Sequence, residues 1–192
     1  ALMATTPQPA AFGSTPWGKD WIRRVEPIAV TRPNPMLPRA RSLVRNDAVA
    51  VDHNKVGEFR CVVSAGKKSE TAVLSLPRYS ATERKSVLRI LARHARGGAT
   101  SGDLPDEVHA ELTASKLSPV PDATEASCTC SGRIDPCLHV TAATYAVGLI
   151  VDQMPTSALA VRGVDLSATS GPADFPRRWM PIESLDSTAF FG

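Results

Sequence analysis

Two hydrophobic periods alternate along this chain. Trp17, Trp21 and Val25 recur every four residues, which predicts a short amphipathic helix over 17–26 with the aromatics as core anchors. Farther on, Phe59, Cys61 and Val63 alternate with Arg60, Val62 and Ser64, the period of a half-buried strand. Strands are expected over 47–52, 57–64 and 70–76, with Ser64-Ala-Gly66-Lys-Lys68-Ser as the turn joining the last two. An antiparallel three-stranded sheet is the economical arrangement. The helical period returns at Ser80-Ala-Thr-Glu83, a capping box that opens a helix running to about Arg96 before Gly97-Gly98. Val87, Leu88, Leu91 and Ala95 make its apolar face; Lys85, Arg89, Arg93 and Arg96 make a basic one. A turn at 102–105 leads to a helix over 106–117, with Val108 and Leu112 inward and His109 exposed. From Val140 to Met154 nearly every position is apolar and Pro155 ends the run, which reads as a buried helix. Thr156 can cap a short last helix reaching Val161.

The polar and proline-rich stretches divide the chain. Residues 1–11 have no periodicity and are expected to be disordered. Pro27, Pro33, Pro35 and Pro38 interrupt 27–45, so Arg32, Arg39, Arg41 and Arg45 are expected on an extended, solvated segment. Residues 12–117 form the expected α+β domain and 118–165 a metal-binding segment. Residues 166–192 form a tail carrying two apolar clusters, Phe175-Pro-Arg-Arg-Trp-Met180 and Phe190-Phe191.

Composition changes this picture little. The 192 residues are enough for one domain with a core, and a net charge of +3 does not by itself announce a nucleic-acid binder. No apolar run reaches the ~18 residues of a membrane span, and Ala1-Leu-Met3-Ala-Thr-Thr lacks the layout of a secretory signal. Three clustered thiols and an isolated Cys61 suit a reduced, metal-binding, cytoplasmic protein better than a disulfide scaffold. Phosphate-cradling glycine loops, Ser-His-Asp orderings and paired carboxylates are not found, so no enzyme and no small-molecule substrate are expected.

The strongest chemical signal lies within twelve residues: Cys128-Thr-Cys130, a short loop, then Cys137-Leu-His139. Cysteines two apart on an extended segment point to one face and can grip one ion. Asp135-Pro136 favours a loop-to-helix junction, with Cys137 just outside the helix and His139 in its first turn. Three thiolates and an imidazole suit tetrahedral zinc, and four protein ligands leave no position for the water a catalytic zinc needs. Cysteines grouped by chance in a core, a Cys-x-Cys redox pair and a Cys137–His139 nucleophilic dyad are the competing readings. The polar loop Ser131-Gly132-Arg133 counts against the first. The other thiols, which a dyad leaves unexplained, count against the last.

Cys-x-Cys, a short loop, Cys-x-His and an alanine-rich helix resemble the SWIM zinc finger. Phe12-Gly13-Ser-Thr-Pro-Trp17-Gly18-Lys-Asp-Trp21 is similar to the opening of bacterial SWIM-containing proteins. Arg39-Ala-Arg-Ser-Leu-Val-Arg45 with Val49-Ala-Val51, Asp103-Leu-Pro-Asp-Glu-Val108 and Ala158-Leu-Ala-Val-Arg-Gly163 resemble later segments of the same family. The likeness spans roughly 12–165. Leu138 stands where the family usually has lysine, and Ser131-Gly132 where it has Pro-Asp. The resemblance implies a non-enzymatic accessory protein that binds DNA or couples a Swi/Snf-type helicase-like ATPase to it. Lys85, Arg89, Arg93 and Arg96 would then attract phosphate. The alternative is a protein-binding adaptor, or a subunit docked on an RNA-rich assembly such as the ribosome, for which Leu138 would offer an apolar face.

Overall fold

The structure, a computed structural model, describes residues 11–28, 34–94, 104–132 and 134–166. Its elements run α1 (Pro16–Val25), α2 (Leu37–Arg45), β1 (Val49–Asp52), β2 (Glu58–Ala65), β3 (Lys68–Ser75), α3 (Ala81–His94), α4 (Asp106–Ala114), β4 (Glu125–Cys128), α5 (Leu138–Gln153) and α6 (Thr156–Val161). The class is α+β, with one antiparallel sheet in the order β1-β2-β3-β4.

The three expected strands form, and a fourth joins them. β2 and β3 pair through eight positions, from Glu58↔Ser75 to Ala65↔Lys68, around a turn at Gly66, whose φ of 73° lies in the left-handed region. Phe59, Cys61 and Val63 point inward as their alternation predicts, and each is fully buried. β4 adds itself to the far edge of β3, pairing Ala72↔Cys128 through Ser75↔Glu125. The sheet register therefore lines up Val51, Cys61, Ala72 and Cys128 across one face.

That face is covered by α5, which is the centre of the molecule. Val140–Gly148 and Val151 are all buried, because the sheet lies on one side of the helix and α1 and α2 on the other. An all-round apolar helix demands such a sandwich. β4 and α5, both within 118–165, thus complete the sheet and core built by 12–117.

Trp17 and Trp21 are core anchors, as expected; Trp21 meets Phe59 edge-on with ring centroids 5.5 Å apart. The Phe12-to-Trp21 motif also has a polar role that its spacing hides. Asp152, near the end of α5, accepts hydrogen bonds from the backbone of Gly13 (2.8 Å), Ser14 (3.1 Å) and Thr15 (2.8 Å) and from the Thr15 hydroxyl (2.7 Å). Gly13 has a φ of 69°, and a methyl group at Gly18 would overlap the Asp152 carboxylate. Both glycines are required by that clasp.

Three expectations are corrected. Residues 37–45 are helical, with Arg39, Arg41 and Arg45 on α2, because Pro38 falls in the first turn, where its missing N–H costs nothing. Arg41 is tied down and only half-exposed: it pairs with Glu26 and donates to the Tyr145 hydroxyl, which in turn donates to Glu26. His109 is buried rather than exposed, its Nε2 2.8 Å from Asp20 and its ring edge-on to Trp17. The expected disordered start, the end of the α3 helix near Arg96 and the apolar clusters of the tail lie outside the described residues.

Candidate metal centre

β4 and α5 build the site between them. β4 carries Cys128 on the core side of the sheet, and the chain then turns so that Cys130 approaches from two residues beyond. Thr129 fixes that turn: its N–H donates to the Thr71 carbonyl (3.0 Å), and its hydroxyl accepts from Thr71 N–H (3.0 Å) while donating to Glu70 (2.5 Å). On the other side, Cys137 is the N-cap of α5 and His139 lies in its first turn, as the Asp135-Pro136 junction predicts. Asn34 donates to the Pro136 carbonyl (3.0 Å), tying the entry of α2 to the same loop.

The structure brings all four predicted ligands together. One donor atom from each of Cys128, Cys130, Cys137 and His139 lies within 4.8 Å of the others, and all four residues are half-buried. A tetrahedral ion with sulfur ligands at about 2.3 Å needs sulfurs about 3.8 Å apart, so little contraction closes the cage. Two further observations fit a metal. Backbone N–H groups of Cys130 and Val140 donate to the sulfurs of Cys128 and Cys137, each at 3.5 Å, so the backbone orients both sulfurs. His139 Nδ1 is buried and finds no hydrogen-bond partner among the described residues.

The thiols by themselves are in conflict. The Gly132 N–H and then His139 draw Cys130 down to about 7, whereas burial and the neighbouring Cys137 push Cys128 up to about 12. Crowded sulfurs cannot all ionise in a half-buried pocket; a divalent cation among them removes the penalty. Gly132 also sits close, since a Cβ there would come within 3.4 Å of the Cys130 sulfur. That is an ordinary contact, so space alone does not demand glycine at this position. Cys61, by contrast, is fully buried and pushed up to about 12 by desolvation, an inert core thiol apart from the cluster.

Leu138 packs inward at least in part. It is half-buried against the second core cluster, whose members include Val25, Leu37, Ala142 and Tyr145, so its apolar side chain contributes to the chain's own packing. Ile134, which the sequence reading passed over, is the exposed apolar residue of the loop at 46%.

Of the predicted basic residues, Lys85, Arg89 and Arg93 are exposed on α3 at the expected spacing, and Arg96 lies outside the described residues. Arg93 is already paired with Glu111 of α4, which also holds His94 at 2.8 Å. Of the predicted set Lys85 and Arg89 remain as outward cations, and Arg84, outside that set, is exposed on the same helix. No helix of the described residues is long and apolar enough to cross a membrane. Comparison with protein-family models, with curated proteins and with solved structures returns no match.

Proposed function

We propose that this chain is a non-enzymatic accessory protein of SWIM type, in which Cys128, Cys130, Cys137 and His139 hold one structural zinc ion. The observation that carries the reading is the convergence of these four donors, each pair on a different element, within 4.8 Å. Three sulfurs and an imidazole match zinc in donor chemistry, and four protein donors leave no open position for substrate or water. Cys137, as the N-cap of α5, makes the ion part of the scaffold.

The partner is DNA, a Swi/Snf-type helicase-like ATPase acting on DNA, or both together. Support for the nucleic-acid part comes from exposed Lys85 and Arg89, one helical turn apart on α3. Such contact is dominated by counterion release and weakens steeply with salt. In a titration of duplex DNA at several salt concentrations, the double substitution Lys85→Glu/Arg89→Glu should weaken binding uniformly across sequences and flatten the salt slope by about 2. Equal affinity of parent and variant, or no binding even at low salt, would remove DNA from the proposal.

A second reading, a protein-binding adaptor or a subunit docked on an RNA-rich assembly, has Ile134 in its favour. An exposed isoleucine on a metal-rigidified loop is a suitable docking contact. Ile134→Glu that abolishes partner capture while leaving DNA binding intact would favour this reading.

A further inference from the structure

β4 has little to hold it in place. Glu125, Ala126 and Ser127 are exposed and Cys128 is only half-buried, so the strand contributes almost no apolar burial of its own. β2 and β3, in contrast, bury Phe59, Cys61, Val63, Ala72 and Leu74 between them. Four ladder positions without a hydrophobic face make a marginal strand.

Its two ends are secured differently. Before the strand, Arg24 of α1 donates to the carbonyls of Pro121 (3.1 Å), Thr124 (3.1 Å) and Asp122 (3.4 Å), and Val120 is buried. After it, the Thr129 bonds to Thr71 and Glu70 are exposed, where water competes for the same groups. Among the described residues, no regular element follows until Leu138. Across that gap the tie is the cluster, because Cys128 and Cys130 lie on the strand side and Cys137 and His139 on α5. α5 itself is buried on all sides from Val140 to Gly148 and does not depend on the loop for its position.

We propose that the ion is the fastening that keeps β4 on the sheet. Its loss unzips β4 from β3, starting at the Cys128 end, while β1, β2 and β3 stay paired. The inference rests on the metal-binding reading above and adds a regulated edge to it. Unzipping leaves β3 from Thr71 to Ser75 as an open edge with unpaired backbone groups, the kind of surface to which another strand adds.

The ladder supplies an internal control. In an antiparallel pair, successive N–H groups of one strand point to opposite neighbours. Thr71 N–H bonds to Thr129, so Val73 and Ser75 also point to β4, whereas Ala72 and Leu74 point to β2. Amide hydrogen exchange on the full chain, read residue by residue by NMR, tests the proposal. Spectra are compared in zinc at about 100 times its dissociation constant and after chelation. Mass action makes the opened form about 100-fold more common without zinc. Exchange should therefore accelerate by about that factor at Thr71, somewhat less at Val73 and least at Ser75, with Ala72, Leu74 and the β2 amides unchanged. In zinc-free Arg24→Ala protein the gradient from Thr71 to Ser75 should flatten, because the other end is then loose as well.

Equal acceleration of neighbouring β3 amides, or of β2, would overturn the proposal by making the ion a support of the whole sheet. Unchanged exchange at Thr71 would overturn it too. Zinc content measured on the same sample separates the levels. A chain that binds no zinc sinks the metal reading and this inference together; one bound zinc without the alternating pattern sinks this inference alone.

Discussion

The α1–α2–α5 side of the molecule and the β4–metal loop side obtain their order from different sources. On the first side Trp17, Trp21, Val44, Tyr145 and Val147 are all buried or nearly so; the indole N–H groups of the two tryptophans find no partner among the described residues, but the charged groups at its border are paired. Asp152 gathers three backbone N–H groups, and Glu26, Arg41 and Tyr145 satisfy one another. On the second side the strand is exposed and the loop short, and the converging features are three sulfurs and an imidazole. Removing water from carbon stabilises one region; in the proposed reading, coordination stabilises the other. The two regions should therefore fail under different treatments.

The largest separation is expected from Cys137→Ser. A structural zinc contributes on the order of 10 kcal/mol to the folding of a small site near neutral pH. The variant should lose its bound metal by elemental analysis, and limited proteolysis should cut within 125–137 while α1, α2 and α5 resist. Trp21→Ala acts on the opposite side. Removing a fully buried tryptophan costs about 3–5 kcal/mol, read as a lower midpoint in denaturant with one metal per chain retained. If each variant damaged both regions equally, the contrast would not exist.

Smaller changes sharpen it. Asp152→Ala leaves the backbone donors of Gly13, Ser14 and Thr15 without their carboxylate and should cost about 1.5–3 kcal/mol in global stability, with zinc affinity unaltered. The smallest effect concerns acid. Burial alone would raise Glu26, but hydrogen bonds from Arg41 and Tyr145 overcome it and hold the carboxyl below its ordinary value of 4.5. A depressed carboxyl stabilises the fold above its unfolded value and loses that contribution as pH falls through the folded one. Glu26→Gln should therefore lower stability at neutral pH slightly and remove part of the decline below about 4.5. A melting-temperature series against pH reads both. Zinc release, by contrast, follows thiolate protonation and should occur at a higher pH than this decline.

The cluster was legible because its chemistry is local: four metal-ligating residue types within twelve residues, with Pro136 marking the helix start. Strands β1 to β3 were legible for the same reason, since alternation such as Phe59, Cys61, Val63 is a short-range signal. β4 was not, because Glu125-Ala-Ser-Cys128 has no alternation and is a strand through its pairing with β3. α2 was hidden by Pro38, whose damage depends on where the helix begins. His109 looked solvent-facing because its partner Asp20 stands 89 positions earlier in the chain. Leu138 offered an apolar face in the sequence, and its half-buried packing against the second core cluster depends on residues more than ninety positions away, such as Val25 and Leu37. Apart from α2, where the position of a single proline decides, the misses are contacts between distant segments, invisible to any window on the chain.

The central claim is a closed, sulfur-rich tetrahedral centre. Its most direct test is cobalt substitution of the purified chain, with visible absorption and metal content measured together. The account predicts one cobalt per chain with the intense bands of a tetrahedral ion and sulfur-to-metal charge transfer from three thiolates. No retained cobalt, or the weak spectrum of a six-coordinate ion carrying water, would contradict it.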